Sequence, residues 1–417
     1  MKVSKKLIAV LLAVVLVAAA FAACTKAADN GEDTTNASAT APDDFKVGFI
    51  FLHDENSTYD LNFINAAKEA CAELGVKEEN IIMKTGIDES QACYDTAADL
   101  VDQGCKFIFA DSFGHESYMI EAAKAYPDVQ FFHATGTKAH TENLPNYHNA
   151  FASIYEGRFL AGVAAGMKLN EMIAQGAVVN GITVTEETAK VGYVGAFPYA
   201  EVKSGYTSFF LGVRYICPSA TMEVTFTNSW YDEAAEKDAA NNLIARGAVL
   251  VSQHADSMGA PTACETAGVP NVSYNGSTVS ACPNTFIVSS RINWAPYMKL
   301  AMQNVIDGKE TPVDYVGTLA TESVQLTEIN EAAAAEGTQE KIDEVKALLE
   351  SGELHVFDTS TFTVGGAALT TYLADVDDMG DYVGETEVIA DGYFHESEYR
   401  SAPYFDIDID GITLLQA

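Results

Sequence analysis

From residue 45 onward, short apolar runs alternate with amphipathic segments of helical length. The run at 46–52 (KVGFIFL) has the length and apolar character of a buried strand. In the segment 61–74, apolar side chains such as Leu61 and Ile64 share one helical stripe, and Gly75 ends it. The same alternation predicts strands at 80–84, 106–110 and 129–133, and helices at 90–103 and 118–125. Strands that alternate with helices in this way predict βαβ units and a parallel sheet.

The pattern restarts after one long apolar helix at 155–169. Its Gly162 and Gly166 lie one turn apart, which would let another backbone approach closely. The helix is too short for a membrane span and contains Arg158. Further strands are predicted at 191–195, 222–227, 249–252 and 272–274, with helices at 204–215, 232–246 and 261–267. Two consecutive series of the same kind predict two similar lobes that face each other.

The predicted fold is therefore α/β, with two lobes that are each a doubly wound parallel sheet and a ligand cleft between them. We assign residues 45–153 and about 284–315 to lobe 1, including a strand at 286–289 and a helix at 297–307. Residues 154–283 and about 316–356 form lobe 2, with a charged surface helix at 331–350. The acidic extension 357–417 has no element that the pattern predicts.

The first 24 residues have the pattern of a secretory signal. Lys2, Lys5 and Lys6 precede the apolar run 7–23, and small residues lead to Cys24. A cysteine in this position resembles the lipobox of bacterial lipoproteins, in which the cysteine carries the lipid. We expect a protein anchored to the outer face of the cell membrane through Cys24, although an ordinary secretory signal is the alternative. Residues 25–44 lack aromatic and branched aliphatic residues and are predicted to form a disordered tether.

Composition narrows the possible partners. The 417 residues carry a formal net charge of −35, which would repel nucleic acid. Beyond Cys24 there are six cysteines with no CxxC pair and no zinc-ligand spacing. We predict buried free thiols rather than disulfides, and a soluble two-domain body.

In open α/β sheets, ligands bind beyond the carboxyl ends of the strands, and there the chain places aromatic rings, amides and carboxylates. Both tryptophans of the chain fall at such strand ends. Stacking on flat rings, with Asp or Asn at the edge, suits a planar heterocycle that forms hydrogen bonds. The candidate ligand-binding residues are Tyr59, Phe113, Phe197, Trp230, Asp256, Asn275 and Trp294.

Signatures of catalysis and of metal binding are weak. GxSxG, GxGxxG and Walker sequences are absent from the chain, and its His-Glu pairs lack a second histidine at helical zinc spacing. The segment 406–411 (DIDIDG) copies the first half of a calcium loop, but its twelfth position would be Ala417 instead of Glu. Alternating Asp and Ile also fits an edge strand with one polar face. We therefore predict no cofactor and no metal.

Five ordered segments resemble the basic membrane protein family of ABC-transporter solute-binding lipoproteins. They are YEGRFLAGVAAG (155–166), KVGYVGAFP (190–198), TNSWYD (227–232), SQHADS (252–257) and INWAPY (292–297). The resemblance implies a two-lobed type I periplasmic-binding-protein fold with three hinge crossovers, and capture of purine nucleosides or nucleobases. It also implies pocket positions for Trp230 and Asp256, and for Trp294 near the hinge. The chain departs from the family in two places. The segment HDENSTYD (53–60) stands where many relatives have a Gly-rich segment with an aromatic residue, whose place Tyr59 would take, and the extension beyond Phe357 exceeds the family pattern.

The sequence thus predicts a monomeric receptor that closes over a purine-type ligand and delivers it to an ABC permease and its ATPase, without catalysis. Three alternatives stay open. One is a binding protein for a sugar or another heterocycle, which Asn228 and Arg291 would suit. Another is a sensor that presents its closed form to a signalling partner. The third is a nucleosidase built on Asp54, Asp111 and Asp256.

Overall fold

The computed structural model describes residues 40–377 and 383–415. The predicted signal peptide, Cys24 and most of the predicted tether lie outside these residues. Across the described parts of the chain, every helix is too short or too polar to cross a bilayer.

The first sheet has six parallel strands in the order β13-β5-β4-β3-β1-β2. They are β1 (Val47–Ile50), β2 (Ile81–Lys84), β3 (Phe107–Ala110), β4 (Gln130–Ala134), β5 (Tyr147–Ala152) and β13 (Asp314–Gly317). Its helices are α1 (Thr58–Glu73), α2 (Gln91–Asp102), α3 (Glu116–Ala125), α4 (Ala139–Glu142) and α9 (Ala295–Asp307). We call this unit lobe 1.

The second sheet has seven strands in the order β14-β12-β11-β10-β8-β9-β19, and only β14 runs antiparallel to its neighbour. They are β8 (Lys190–Gly195), β9 (Thr221–Phe226), β10 (Leu250–His254), β11 (Asn271–Tyr274), β12 (Phe286–Ile292), β14 (Val324–Leu326) and β19 (Ile412–Leu414). Its helices are α5 (Ile154–Gln175), α6 (Ala200–Ile216), α7 (Glu233–Ala245), α8 (Gly259–Ala267) and α10 (Thr338–Ser351). We call this unit lobe 2.

Three two-stranded sheets lie outside the two large sheets in the described residues. β6 (Val178–Val179) pairs with β7 (Ile182–Thr183) in lobe 2. In the C-terminal extension, β15 (Leu373–Ala374) pairs with β16 (Thr386–Glu387), and β17 (Ile389–Ala390) pairs with β18 (Tyr393–Phe394).

Three crossovers join the lobes. The chain leaves lobe 1 after β5, returns after β12 to form α9, and crosses again between β13 and β14. Parallel strands in both lobes therefore point their carboxyl ends at one shared cleft. The predicted two-lobed α/β architecture is confirmed.

The predicted boundary near residue 284 is wrong. The strand β12 pairs in parallel with β11, so the segment before about residue 293 belongs to lobe 2. The pattern also missed β5, β13 and β14. In β5 the apolar run is broken by His148 and Asn149, yet all six of its residues are buried.

Two further boundaries differ from the prediction. The end of the predicted tether is bound to lobe 1, because the backbone N–H of the buried Ala41 donates to Leu74 at 2.8 Å. The helix predicted from residue 331 starts only at Thr338, after Gly337 with φ of 78°. Backbone hydrogen bonds and a left-handed glycine decide these ends, and neither is visible in composition.

The close approach predicted at the glycines of α5 is confirmed. A Cβ built on Gly162 would overlap the carbonyl oxygen of Phe209 in α6, and one on Gly166 would lie 2.7 Å from that of Val213. The two helices pack backbone to backbone on one face of the second sheet.

The C-terminal extension packs against both lobes. β19 adds a parallel strand to the edge of lobe 2 beside β9. Lys203 of α6 pairs with Asp406 at 2.7 Å and with Asp408 at 3.1 Å. On the other side, the backbone N–H of Ser401 donates to Asp314 Oδ2 of lobe 1 at 2.7 Å.

Candidate functional site

A cavity with about 370 Å³ of space between its atoms, part of it open to solvent, lies between the lobes where the strand ends meet. We call it the inner cavity. Its lining residues come from both lobes and are Leu52, His53, Tyr59, Asp60, Ser112, Phe113, Thr135, Glu201, Trp230, His254, Asp256, Tyr274 and Asn275.

The structure brings together five of the seven predicted ligand-binding residues. Tyr59, Phe113, Trp230, Asp256 and Asn275 all line the inner cavity. Phe113 and Tyr59 belong to lobe 1, whereas the other three follow strands of lobe 2. The cavity is therefore complete only when the lobes are together.

Phe197 lies one layer behind the cavity wall. Its ring meets the edge of Trp230 at a centroid distance of 4.9 Å and stacks on Tyr199 at 5.0 Å. Across the cleft, Phe113 approaches Tyr199 at 5.8 Å. Phe197 thus supports Trp230 instead of lining the inner cavity.

The structure places Trp294 in the core and not in the inner cavity. It is 2% exposed, stacks on Phe63 at 4.5 Å and meets Phe151 edge-on at 6.2 Å. The reason is that Trp294 immediately precedes α9, and this helix turns back to pack on α1 of lobe 1. The predicted pair of tryptophans is therefore separated.

Asp60 and Asp111 form a pair of neighbouring carboxyl groups on the lobe 1 side of the inner cavity. His53 holds the cavity-lining Asp60, with a backbone N–H at 2.7 Å and Nδ1 at 3.3 Å. Burial acts to raise the pKa of Asp60, but the hydrogen bonds from His53 and Ser57 outweigh it and lower that pKa. Burial, and then the neighbouring Asp60 carboxylate, raise the pKa of Asp111 well above its ordinary value. The pKa values of the two neighbouring carboxyl groups are thus shifted in opposite directions.

A second polar pair belongs to lobe 2. Asn275 Nδ2 donates to Asp256 Oδ1 at 3.1 Å, and both side chains are buried. Burial, followed by the charge of Glu236, raises the pKa of Asp256 well above its ordinary value. The pair presents an amide and a carboxyl side by side, an arrangement suited to the edge of a heterocycle.

Eight lining residues were not among the predicted site residues, although each lies at or shortly after the end of a strand. One is Leu52, and the others carry polar groups. They are His53, Asp60, Ser112, Thr135, Glu201, His254 and Tyr274. Burial lowers the pKa of His254 despite the nearby Glu201, whose Oε1 lies 3.6 Å from Nε2. The signal for these residues was their place at a strand end, but that place alone does not tell which side chains face the cleft.

Arg158 is a second omission from the predicted site. It is fully buried beneath Tyr274, with its guanidinium 5.2 Å from the centre of that ring. Its Nη atoms donate to Ser252 Oγ at 2.9 Å and to the carbonyl of Ser273 at 3.1 Å. This side chain ties the ends of β10 and β11 together under the inner cavity. A cation among the apolar residues of the helix was the available signal.

Three residues at the cleft edge adopt left-handed backbone conformations. Thr135 follows β4 with φ of 67°, Asn228 follows β9 with φ of 58°, and Asn275 follows β11 with φ of 66°. Asn tolerates this region, but a β-branched residue such as Thr adopts it at a cost. Strain of this kind clusters at ligand sites, which supports the placement of the site here.

One group of carboxylates has metal-like spacing. The oxygens of Asp375, Asp377 and Glu385 in the extension lie within 4.8 Å of one another. Exposed acidic groups often take this arrangement without an ion, so we assign it no role. The calcium-like Asp406 and Asp408 instead pair with Lys203, while Ile407 and Ile409 are buried.

The lobes touch at the cleft. The backbone N–H and Oγ1 of Thr58, at the start of α1, both donate to the carbonyl of Asp256, at 3.0 and 3.2 Å. Near the crossover, Asn62 Nδ2 donates to the carbonyl of Ile292. These bonds characterise a closed arrangement around the inner cavity.

The profile of the Bmp family, described as ABC transporter substrate-binding protein PnrA-like, matches residues 49–355. The chain belongs to this family. Members of this family are substrate-binding proteins of ABC transporters and not enzymes, and they act outside the cytoplasm. As such a protein, it binds a small molecule and delivers it to a permease.

Two curated relatives differ in the ligand that their names give. The chain is 29% identical over 322 residues to a purine-binding protein of Brucella abortus, covering 76% of this chain and 85% of the relative. It is 32% identical over 258 residues to a Haloferax volcanii protein named as an ABC transporter glucose-binding protein, covering 61% and 60%. The family is thus shown, while the ligand differs among relatives.

Solved structures agree on the fold. A solute-binding protein of Aeropyrum pernix K1 matches with a TM-score of 0.63 at 17% identity, covering 75% of this chain and 93% of that chain. One from Conexibacter woesei matches with a TM-score of 0.59 at 21% identity, covering 75% and 98%. Both are type I periplasmic binding proteins, and at this identity they show the fold alone.

Proposed function

We propose that this ABC-transporter solute-binding protein captures a purine nucleoside or nucleobase. The observation that carries the proposal is the joint placement of Trp230 and the Asp256–Asn275 pair in one closed cavity. The indole offers a stacking face, and the amide and carboxyl offer a donor and acceptors to ring nitrogens and exocyclic groups. The purine-binding relative supports this choice of ligand.

The charge of the inner cavity favours an uncharged ligand over a phosphorylated one. Asp60 and Glu201 line it, and no Lys or Arg is among its described lining residues. A phosphate would meet carboxylates without a compensating cation, which costs free energy. Nucleosides and bases therefore fit, whereas nucleotides do not.

Capture works by closure of the two lobes. A ligand that contacts Trp230 of lobe 2 and Tyr59 or Phe113 of lobe 1 binds the closed state more tightly than the open state. The hydrogen bonds from Thr58 to Asp256 form in the same closed state. The closed protein is then the form that a permease recognises.

Replacement of Trp230 by Ala tests the stacking role. Loss of the indole is expected to weaken adenine and adenosine binding by about 1–3 kcal/mol, the scale of base stacking on aromatic side chains. Isothermal calorimetry measures the affinities, and Trp230→Phe, which keeps a ring, is expected to retain most of the binding. Unchanged affinity in Trp230→Ala would remove this residue from the site.

A sugar ligand is the second candidate, because of the relative named for glucose and because carboxylates beside Trp230 also suit hydroxyl groups. A thermal-shift series with adenine, adenosine, guanosine, ribose and glucose separates the two. Stabilisation by glucose alone would contradict the purine proposal.

We also propose that the protein is anchored to the membrane through lipidated Cys24. The basic, apolar and small-residue order of the first 24 residues supports it. Replacement of Cys24 by Ser is expected to move the protein from the membrane fraction to the soluble extracytoplasmic fraction. Retention of Cys24→Ser in the membrane fraction would overturn the anchor.

A further inference from the structure

A second pocket adjoins the inner cavity on the side covered by the C-terminal extension. Both are lined by Phe113, Thr135 and Glu201, so the two spaces meet at these side chains. Most of the remaining wall comes from the extension, including Tyr372, Tyr404 and Asp406. We call this space the outer compartment. The family match ends at residue 355, before this wall begins.

The wall of the outer compartment is held firmly in place. Asp406 pairs with Lys203 of lobe 2, and the chain next to Arg400 is bound to lobe 1 through the Ser401 N–H and Asp314. Tyr404 is 3% exposed, and its backbone N–H donates to the buried Glu396 at 2.8 Å. An anchored wall of this kind shapes a pocket, whereas a loose tail would not.

Thr135 lies at the junction between the two spaces. It is 3% exposed, its backbone is left-handed, and its Oγ1 has no hydrogen-bond partner within the described protein. A buried hydroxyl without a partner costs free energy that a ligand group can recover. Glu201 supplies a carboxylate at the same junction.

The polar and aromatic side chains that line the outer compartment indicate which chemical group of a ligand would bind there. Carboxylates such as Glu201 and Asp406 accept hydrogen bonds, and Tyr372 and Tyr404 offer flat faces. Arg400 is engaged by its own backbone neighbours, since it donates to the carbonyls of Ala402 and Pro403 at 3.2 Å each. A hydroxyl-bearing glycosyl group matches this combination of acceptors and rings.

We propose that the C-terminal extension adds a second compartment to the ligand site, that a glycosyl substituent of the ligand enters it past Thr135, and that the Thr135 hydroxyl binds this substituent. The inference rests on the proposed purine function, with the base in the inner cavity. It makes the extension a determinant of nucleoside over nucleobase preference.

Adenine and adenosine distinguish the compartments, since only adenosine carries the glycosyl group. Thr135→Val keeps the shape and removes the hydroxyl, so it is expected to weaken adenosine binding about 3- to 10-fold, the scale of one net hydrogen bond. Adenine binding is expected to change less than about 2-fold, and Thr135→Ser to restore adenosine binding.

Ala200→Trp fills the outer compartment from lobe 2, because Ala200 is half-buried at the first position of α6 and lines only the outer compartment. It is expected to weaken adenosine about 10-fold or more and to spare adenine. Ala234→Trp is the matched control: it places the same side chain in the first turn of α7, where Ala234 is exposed and lines neither space. Thermal unfolding confirms that each variant is folded.

Calorimetry with both probes decides the outcome. A selective loss of adenosine binding in Thr135→Val and Ala200→Trp supports the second compartment. Equal effects on both probes, or none, would overturn it while the purine function stands. Absence of adenine and adenosine binding in the wild type would overturn the proposed function and this inference with it.

Discussion

At the scale of single residues, two neighbouring buried carboxyl groups have pKa values shifted in opposite directions, because only one of them receives hydrogen bonds that outweigh the effect of burial. Asp60 receives hydrogen bonds from His53 and Ser57, which lower its pKa. Asp111 is fully buried beside it, and burial, the charge of Asp60 and a side-chain hydrogen bond with Asp60 raise its pKa. The two residues therefore affect stability in opposite directions as pH changes.

Asp111→Asn is expected to stabilise the protein increasingly as pH rises. The pKa of Asp111 is higher in the folded state, so the wild type loses stability between the unfolded pKa near about 4 and the raised folded pKa. Asn removes this loss and keeps an oxygen for the Leu52 N–H at Oδ1. The gain is expected to grow by up to about 1.4 kcal/mol per pH unit.

Urea unfolding without ligand, from about pH 5 to about pH 8, measures this difference. Asp60→Asn is the control of opposite sign. The lowered pKa of Asp60 contributes stability that is present above the unfolded pKa and lost as pH falls, so its removal is expected to destabilise at neutral pH. A gain in Asp111→Asn that is independent of pH would contradict the raised pKa of Asp111.

At the scale of elements, the site depends on where strands end and on how closely α5 and α6 pack. Helix α5 carries Arg158 under the inner cavity, and Gly162 lets it approach α6. Helix α6 begins directly after Tyr199, whose ring stacks on Phe197. The distance between these helices therefore affects the position of Arg158 beneath the inner cavity and of Tyr199 at the start of α6 together.

Gly162→Ala is expected to destabilise the protein by about 1–3 kcal/mol, because the added methyl group meets backbone that cannot move aside. Gly157→Ala in the same helix is the control, since its Cβ meets the Val324 side chain at 2.9 Å instead of backbone. Urea unfolding compares the two variants. Equal stability of both would show that the helices can separate without cost.

At the scale of the whole molecule, function depends on closure. The lobes are joined at three crossovers, and at the cleft the N-terminus of α1 binds the Asp256 carbonyl. Every ligand that closes the lobes gains from this bond, whatever group it presents. The interlobe hydrogen bonds are thus a general contribution to affinity, whereas the cavity walls are specific.

Thr58→Val removes the Oγ1 hydrogen bond and leaves the backbone bond to Asp256 in place. We expect affinity to fall about 3- to 10-fold for adenine and adenosine alike, because the closed state loses one hydrogen bond. Calorimetry measures the ratio, small-angle X-ray scattering measures closure, and Thr58→Ser serves as the control. A loss confined to one ligand would show instead that Thr58 contacts the ligand.

The sequence by itself determined the alternation of strands and helices, the two lobes and the strand-end location of the site. These follow from local periodicity and from the rule that parallel strands direct their carboxyl ends to one edge. Tyr59, Phe113, Trp230, Asp256 and Asn275 were predicted for this reason, and the structure places all five in one cavity. A local pattern was sufficient because each residue lies shortly after a strand or in the first turn of the helix that follows it.

Only the tertiary structure decided which strand-end residues line the inner cavity. Trp294 and Trp230 carry the same local signal, but the turn of α9 sends Trp294 into the core. The six-residue β5 escaped prediction because its buried polar residues are satisfied by contacts distant in sequence, such as that of His148 with Pro312. The extension likewise acquired its place through pairing with β9 and Lys203. Such contacts join residues far apart in the chain, and no local pattern encodes them.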